Sequence, residues 1–381
     1  MCPSYRATRS EEFSTRGRSN LLRKALSSED PTKSLKNSEL KEALDLCLAC
    51  KACKSECPAN VDMAKLKSEY LFQIRNAGSY VKSWHIKNLG YILKIGSKAP
   101  DTFNFLQSSF LGRKLIGFER QPPLLQKKSL SDWWSACKTN NEDCSTTVWG
   151  IVDIFTQYYD VSIGQDVLNL LKKCKVNIKV VFPKNSIVAM VSYGLLNEAK
   201  NELKILHSQL NDAAKNDLIV GIEPSEVLVW RDEAKSLLNG RLPNVLLFEE
   251  LLLELDQLKV LPKFHALNTK VWVYEHCHQK SLAETENVIK SLELIPELQI
   301  EIINGGCCGM AGEFGYKFPE ISDTIAHQSL DNYMSRVGKN DVLVVTGTSC
   351  RKQILDIFSI RSIHWPQLFN NTIKMKVNIE E

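Results

Sequence analysis

Four cysteines within eleven residues constrain this chain more than any other feature. They lie in the stretch CLACKACKSECP, residues 47–58, and are Cys47, Cys50, Cys53 and Cys57. The spacing C-x2-C-x2-C-x3-C-P lets a tight loop turn several sulfurs toward one small object, and it is typical of bacterial 4Fe–4S sites. A zinc site usually shows two separated C-x2-C pairs, and a disulfide framework does not suit a reducing compartment. The spacing therefore predicts a 4Fe–4S cluster.

The composition is that of an ordinary soluble protein of two or three domains. Of the 381 residues, 44% are hydrophobic and 24% are charged, and the net charge of +4 is too small to indicate nucleic-acid binding. The sequence contains no apolar run of about 18 residues, as a transmembrane helix would need, and no secretory signal opens it. Clustered thiols without an export signal predict a cytoplasmic, metal-binding protein.

Cys2 precedes a proline and resembles the end of a first cluster motif whose other cysteines are absent. In two-cluster motifs the cysteine before the proline serves the opposite cluster. We therefore expect Cys2 to complete the cluster with Cys47, Cys50 and Cys53, and Cys57 to be a spare thiol. In the alternative arrangement Cys57 is the fourth ligand and Cys2 is frayed at the terminus.

The first hundred residues are predicted to be mostly helical, with helices over 38–46, 60–77, 80–95 and 102–116 and with Asn60 as an N-cap. Six basic side chains precede them and form either a solvated helix face or a basic collar beside an anionic cluster or partner. These are Arg6, Arg9, Arg16, Arg18, Arg23 and Lys24.

From Val148 onward strands alternate with helices, which predicts an α/β arrangement with a largely parallel sheet. The predicted strands are VWGIVDIF, VNIKVVF, DLIVGI, KVWVYE, LQIEII and DVLVVTG. A weak internal repeat places Glu226 in the first half where Cys350 stands in the second. The expected fold is α+β overall: a helical ferredoxin-like domain (1–118), a linker (119–147), and a cysteine-rich α/β domain of two repeats (148–266 and 267–381).

A second set of thiols lies in the last repeat: Cys277, Cys307, Cys308 and Cys350. Each follows a predicted strand, and loops at the carboxyl ends of parallel strands converge on one crevice. Four thiolates would suit an iron–sulfur cluster or Zn²⁺, and the alternative is a set of buried, inert thiols. The histidines on either side of Cys277 are expected to be hydrogen-bond donors rather than ligands. Glycines that allow close approach of the backbone are Gly305, Gly306, Gly309, Gly312 and Gly315.

Several stretches together resemble the iron–sulfur C-terminal part of FAD-linked oxidases of the D-lactate/D-2-hydroxyglutarate dehydrogenase type. The chain is similar more broadly to the glycolate oxidase iron–sulfur subunit, the small subunit of anaerobic glycerol-3-phosphate dehydrogenase and the cysteine-rich subunits of heterodisulfide reductase. The stretches are MCPSYRAT, STRGRSNLLRKAL, LCLACKACKSECPANVDMAKLKSEYL, GLLNEAKNEL, GIEPSEVLVWRDE, HCHQKSL, GCCGMAGEFGY and GTSCRKQI.

The chain departs from this family in its first repeat. Asn185, Ser186 and Ile187 stand where the family has a Cys-Cys-Gly element, and Glu226 replaces a cysteine. The resemblance implies that this repeat builds no thiolate site and that Cys174 is structural. The sequence lacks the family's flavin domain and the three leading cysteines of the first ferredoxin motif, which predicts a fragment, a split-gene product or a separate subunit.

These features predict an iron–sulfur electron-transfer protein without catalytic residues of its own. The resemblance implies a flavoprotein partner, which carries FAD and oxidises a 2-hydroxy acid. Electrons would pass through the cluster to the cysteine-rich site and on to a quinone or another carrier. The protein is expected in the cytoplasm or peripheral on the inner face of the membrane. The alternatives are a structural zinc protein and a truncated remnant without redox activity.

Overall fold

The computed structural model describes residues 2–76, 83–137, 144–214 and 216–373, and it has the α+β fold that the sequence predicts. The N-terminal part is helical. Its α-helices are α1 (Pro3–Thr8), α2 (Thr15–Leu26), α3 (Pro31–Ser34), α4 (Ser38–Asp45), α5 (Ala52–Glu56), α6 (Met63–Asn76), α7 (Trp84–Lys87), α8 (Leu89–Gly96), α9 (Pro100–Ser108), α10 (Phe110–Ile116) and α11 (Leu130–Cys137), and Glu11–Phe13 is a 3-10 helix.

The remainder combines short strands with helices. The strands are β1 (Thr147–Ile151), β2 (Asn177–Val181), β3 (Leu218–Gly221), β4 (Val245–Leu246), β5 (Lys270–Tyr274), β6 (Gln299–Ile302) and β7 (Val342–Val345). The helices are α12 (Ile154–Tyr158), α13 (Val161–Lys173), α14 (Ile187–Ser192), α15 (Leu196–Gln209), α16 (Pro224–Val229), α17 (Glu233–Leu237), α18 (Phe248–Gln257), α19 (Cys277–Leu282), α20 (Thr285–Leu292), α21 (Phe314–Lys317), α22 (Pro319–Met334), α23 (Thr348–Phe358) and α24 (Trp365–Ile373).

The predicted N-terminal helices are present, but their ends differ from the prediction. Asn60 does not cap α6, because its backbone is left-handed (φ 52°) and Asp62 accepts the N–H of Lys65 at 3.1 Å instead. The predicted helix over 102–116 is divided at Ser109, whose extended backbone ends α9 and whose hydroxyl accepts the N–H of Gly112 to start α10. The first residues of the predicted 80–95 helix, 80–82, lie outside the described residues.

The stretch predicted as a linker, 119–147, contains helix α11. Leu130 and Trp134 on this helix are buried against the same apolar core as α13. A Cβ on Gly164 of α13 would approach the Leu130 side chain within 2.1 Å, so the two helices are in close contact. The described part of this segment therefore packs on the α/β region rather than spanning a gap.

The two sheets repeat one topology. The first has the strand order β2-β1-β3-β4 and the second β6-β5-β7, and every pairing is parallel. All six predicted strands are present, whereas β4 has only two residues and gives no periodic signal. Each central strand also carries the same side-chain pair: the indole of Trp149 donates to Asp217 at 2.8 Å, and that of Trp272 to Asp341 at 2.7 Å. These pairs support the predicted internal repeat.

The main core lies between the two sheets. Successive side chains of a strand point to opposite faces, so Val148 and Val152 of the first sheet and Val271 and Val273 of the second face this shared core. Helices α13, α18, α20 and α24 fill it. The opposite face of the second sheet, with Trp272 exposed to only 1%, packs against helices that lead toward the second set of thiols.

Candidate metal centres

The cluster loop is a tight turn between α4 and α5. Ala49 and Lys51 both have left-handed backbones, with φ of 52° and 60°, so the chain reverses sharply on either side of Cys50. Cys47 is buried, and Lys67 donates to its carbonyl at 2.7 Å. The loop contains no glycine, so contacts with the rest of the fold must stabilise its left-handed residues.

Cys2 is anchored beside this loop by a buried arginine. The guanidinium of Arg18, only 1% exposed, lies 3.2 Å from the Cys2 sulfur and donates to the Ala43 carbonyl at 2.6 Å. Burial opposes ionisation of Cys2, but the charge of Arg18 together with hydrogen bonds from Tyr5, Arg18 and Ser4 outweighs it, so the pKa of this thiol is lowered. Ser4 donates to the Leu46 carbonyl at 2.5 Å, which ties the N-terminal helix to the loop. Cys2 and Ser4 are therefore tied to the cluster loop by these bonds.

The other predicted ligands separate into two groups. Burial raises the pKa of Cys50 well above its ordinary value, and charge on Cys277, Cys47 or Cys2 would raise it further. Burial also raises the pKa of Cys53. A hydrogen bond from the Met63 backbone lowers this pKa, and charge on Cys47 or Cys2 would raise it. The pKa of Cys57 is instead lowered by backbone N–H groups of residues 61, 59 and 60, and among the described residues no other thiol influences it. Charge on Cys2 would therefore influence Cys50 and Cys53, whereas the Cys57 thiol is influenced mainly by the backbone N–H groups of its own turn.

Only part of the basic N-terminal segment forms a collar around the thiols. Arg18 contacts Cys2, as the collar interpretation requires. Arg16 pairs with Glu11 at 2.9 Å on an exposed face, and Arg6 donates to the Gln328 carbonyl at 3.1 Å. The collar interpretation therefore fits Arg18, and the solvated-face interpretation fits Arg16.

The second set of thiols comes together at the carboxyl ends of β5, β6 and β7. Cys277 opens α19, Cys307 and Cys308 follow β6, and Cys350 lies in the first turn of α23. The sulfurs of Cys308 and Cys350 are 3.3 Å apart, and Cys307 contacts both Cys277 and Cys308. The predicted convergence of four sequence-distant thiols is therefore present in the fold.

These thiols suit a soft metal by their chemistry. Contact with Cys307 and burial raise the pKa of Cys277 well above its ordinary value, so ionisation needs a compensating cation, which a metal supplies. Gly309, with φ 89°, donates its N–H to the Cys307 sulfur at 3.5 Å, and a Cβ there would lie 2.4 Å from the Ser322 carbonyl. Within the described ranges, no three His, Cys, Asp or Glu side chains are grouped closely enough to hold a metal ion as they stand.

The two histidines beside Cys277 make hydrogen bonds. Nδ1 of His276 accepts the N–H of His278 at 3.2 Å, so in the neutral ring Nε2 carries the proton, and it lies 3.9 Å from the Cys277 sulfur. Burial lowers the pKa of His278 to about 3, so this ring is neutral. Its Nε2 contacts the Ala49 carbonyl at 2.9 Å. Both rings fit the role of donors around the thiols.

The two sets of thiols are neighbours, which the sequence did not reveal. The bond from His278 to Ala49 joins α19 to the cluster loop. Cys50, Cys277 and Cys307 belong to one apolar cluster, and each affects the ionisation of another member. The order of the strands does not predict this contact, because the contact depends on how the helical part docks on the second sheet.

A buried ion-pair network fixes that docking from the other side. Lys51, the residue after Cys50, is 2% exposed and donates to Asp232 at 2.7 Å and to Glu233 at 2.5 Å. Lys54 and Lys65 reach the same Asp232 carboxylate. Burial opposes ionisation of Asp232, but the hydrogen bonds from these lysines hold its pKa well below its ordinary value. Sequence reasoning missed this network, since its partners are about 180 residues apart.

The first repeat has polar side chains at positions equivalent to the thiols. Counting onward from the paired strands, Asn185 corresponds to Cys307, Ser186 to Cys308 and Glu226 to Cys350. The Ser186 hydroxyl hydrogen-bonds to the Glu226 carboxyl, just as Cys308 contacts Cys350. Glu226 also accepts the N–H of Ile187 at 3.2 Å. A hydrogen-bonded polar pair thus occupies the equivalent crevice.

Glu226 makes the stability of this repeat depend on pH. Burial raises the pKa of its carboxyl from 4.5 to about 8, so the folded state keeps a proton that the unfolded state loses. The stability gained is complete below the unfolded pKa and is lost as the pH rises toward 8. Relative to Glu226→Gln, the wild type should lose up to about 1.4 kcal/mol of unfolding free energy per pH unit in this window.

The measurement is urea unfolding of both proteins at several pH values between the two pKa values. Glu254→Gln is the matched control, because Glu254 lies on the exposed face of α18. Parallel profiles for the wild type and Glu226→Gln would contradict the assignment.

Comparison with known proteins finds a similarity in the N-terminal region. Residues 1–61 match the family model of the 4Fe–4S dicluster domain. This region is similar to a 4Fe–4S dicluster domain. It contains Cys2 and all four cysteines of the cluster loop, so the predicted cluster type is supported independently of the geometry.

Similar proteins extend the resemblance over nearly the whole chain. Over 93% of its length the chain is 29% identical to D-2-hydroxyglutarate dehydrogenase of Escherichia coli strain K12 and 27% identical to that of Pantoea ananatis strain AJ13355. Over 55% of its length it is 23% identical to a subunit of the anaerobic glycerol-3-phosphate dehydrogenase of E. coli K12, and the match covers 55% of that subunit. These relatives confirm the predicted resemblance.

The chain spans 40% of the length of those D-2-hydroxyglutarate dehydrogenases. No solved structure matches it significantly. Within the described residues, no helix is both long and apolar enough to cross a membrane.

Proposed function

We propose that this protein transfers electrons from a flavin-linked 2-hydroxy acid dehydrogenase to a quinone or another carrier. The proximity of the two sets of thiols, with Cys50 and Cys277 packed against one apolar cluster, is the observation that carries this proposal. Two thiol-bound centres placed side by side would form a short path for single electrons. The 4Fe–4S dicluster domain and the similarity to dehydrogenases support it.

The first centre would be held by Cys2, Cys47, Cys50 and Cys53, and a bound 4Fe–4S cluster supplies one-electron chemistry. The chain's own contribution is to bury the sulfurs and to direct donors at them. Arg18 donates to the Cys2 sulfur at 3.2 Å and lowers the electrostatic cost of charge there. Burial of Cys47 keeps water from one side of the loop.

The second centre would be held by Cys277, Cys307, Cys308 and Cys350, with an iron–sulfur cluster or Zn²⁺ as its metal. All four side chains of this group offer sulfur, which favours a thiophilic metal over Mg²⁺ or Ca²⁺. Lys280 donates to the Gly305 carbonyl at 2.9 Å and holds the loop that carries the paired cysteines.

The flavoprotein partner, with its FAD, is inferred from the relatives. Both D-2-hydroxyglutarate dehydrogenases are longer than this chain, and the match leaves the greater part of each uncovered. A separate flavin domain or subunit would supply the electrons, and the substrate would be a 2-hydroxy acid.

The test is an anaerobic electron-transfer assay with the purified holoprotein. Photoreduced deazaflavin donates electrons, and a soluble quinone is then added while the cluster's absorbance is followed. We expect reduction followed by rapid reoxidation. A cluster that stays oxidised with the donor, or stays reduced with the quinone and with air-free ferricenium as an alternative acceptor, would contradict the proposed function.

The assignment of Cys2 leads to a separate prediction. Cys2→Ser should shorten the lifetime of the reconstituted cluster and change its EPR signal more than Cys57→Ser does. The reason is that charge on Cys2 influences Cys50 and Cys53, whereas the described influences on Cys57 are burial and the backbone N–H groups of residues 59 to 61. The measurement is anaerobic reconstitution of both variants followed by EPR and absorbance decay. The reverse order of effects would reject the crossed arrangement.

The second centre is tested by a pair of buried cysteines. Cys308→Ser should lower the metal bound by the chain, while Cys174→Ser should leave it unchanged. Cys174 lies in the apolar core between the sheets, where burial raises its pKa to about 12, and it has no thiol neighbour among the residues that shift this pKa. The measurement is the metal content per chain of both variants. Equal metal loss in Cys308→Ser and Cys174→Ser would refute the distinction between the repeats.

A further inference from the structure

The exposed apolar side chains of this protein are concentrated in one segment. Of the fifteen large hydrophobic residues that are exposed in the described ranges, ten lie between residues 84 and 124. The most exposed are on α9 and α10: Leu115 at 88%, Phe105 at 74%, Phe110 at 72% and Leu111 at 71%. Neither helix has a buried residue. Apolar surface gathered in this way usually marks an interaction site.

Helices α8, α9 and α10 form one closely packed unit. Gly96 of α8 faces the Phe103 ring, where a Cβ would lie within 2.7 Å, and Gly112 of α10 faces the Leu106 carbonyl, where a Cβ would lie within 1.9 Å. Leu93 is buried on the inner side of this unit. We call the outward side the α8–α10 face; its apolar members are Tyr91, Ile95, Phe105, Leu106, Phe110, Leu111, Leu115 and Ile116.

The charge of the same segment is strongly positive. Residues 83–128 contain eight Lys and Arg and two acidic residues, Asp101 and Glu119, so their net charge is 8 − 2 = +6. The whole chain carries +4, so the remaining residues sum to 4 − 6 = −2. In the described ranges, Lys127 pairs loosely with Asp101 at 4.0 Å. The exposed lysines of the segment are Lys87, Lys94, Lys98, Lys114, Lys127 and Lys128.

We propose that the α8–α10 face docks on an anionic lipid surface. Short helices that expose Phe and Leu beside Lys have the composition of interfacial helices, whose apolar side chains enter the headgroup region while the lysines attract anionic lipids. The cores of protein–protein interfaces are instead depleted in lysine. The positive charge of this face is complementary to anionic headgroups, and the rest of the chain, with its negative balance, would face away.

The test is co-flotation of the holoprotein with phosphatidylcholine vesicles that contain or lack phosphatidylglycerol. We expect binding to the anionic vesicles that weakens with added salt, and much weaker binding to the neutral ones. A Phe110→Ser/Leu111→Ser/Leu115→Ser variant should lose at least tenfold in bound fraction, and so should Lys94→Glu/Lys98→Glu/Lys114→Glu. The matched control is Ile205→Ser/Leu258→Ser, two exposed apolar residues outside the face, which should bind like the wild type.

Absence of wild-type binding to both vesicles, or equal binding of all variants, would overturn the proposal. If the wild type forms dimers that the triple serine variant does not form, and ignores vesicles, then a second copy of the chain covers the face and the lipid proposal is wrong. The inference stands on the surface alone, and vesicle binding is measured without electron transfer, so its failure is distinguishable from failure of the proposed function.

Discussion

Replacement of Cys47, Cys50 or Cys53 with serine is expected to remove most of the iron of the first centre. The three thiols share the loop that the left-handed Ala49 and Lys51 close, and loss of one thiolate opens a cluster to water and oxygen. The largest effect is expected at Cys50, because it also lies nearest the second set of thiols. The measurement is iron and sulfide per chain after anaerobic reconstitution, together with the visible absorbance of the cluster.

The control for this series is Cys174→Ser, which removes a buried thiol remote from both centres. It should keep the full iron content, although the apolar core between the sheets will tolerate the hydroxyl poorly. Circular dichroism before reconstitution shows whether each variant folds. Unchanged iron in all three loop variants would refute the cluster assignment.

Lys51→Met is expected to lower the free energy of unfolding by about 3–5 kcal/mol, because it leaves the buried Glu233 carboxylate without its ammonium partner and removes one of three lysines from Asp232. Asp232 and Glu233 both bond to this ammonium and are buried. Methionine keeps the length of the side chain and has the same Cβ as lysine, so the strain of φ 60° is unchanged. Urea unfolding of the holoprotein measures the loss, and iron content measures whether the adjacent loop still closes.

A matched surface lysine separates the effect of burial from the effect of charge. Lys41 pairs with Asp45 one helical turn away, and its side chain is 55% exposed, so Lys41→Met should cost no more than about 0.5 kcal/mol. In addition, Glu233→Gln in the Lys51→Met background should recover part of the loss by removing the carboxylate that Lys51 pairs with, whereas Asp232 keeps Lys54 and Lys65. Equal costs at Lys51 and Lys41 would show that the buried network does not hold the loop.

Sequence alone predicted the parts of this protein that depend on local patterns. The cysteine spacing predicted the cluster loop, and runs of β-forming apolar residues predicted six of the strands. The position of each cysteine after a strand predicted that the thiols of the last repeat converge, as Cys308 and Cys350 do. Parallel topology fixes where the carboxyl ends of strands meet, so this convergence follows from chain order.

Features that depend on docking between distant segments could not be predicted. The bond from His278 to Ala49 and the pair of Lys51 with Asp232 join residues about 180 to 230 apart in the chain. The Asn60 cap was wrong because a side-chain N-cap typically has an extended backbone, whereas Asn60 is left-handed and Asp62 supplies the bond two residues later. A buried lysine carries no signature in a sequence, since its carbon chain and charge suit a surface equally well.

The chain is expected to carry an iron–sulfur cluster and not structural zinc. Anaerobic analysis of iron, acid-labile sulfide and zinc in the purified protein tests this directly. The 4Fe–4S assignment predicts about four irons and about four sulfides per chain at the first centre, with a brown colour that bleaches on reduction. Stoichiometric zinc without sulfide in a colourless, folded protein would contradict it.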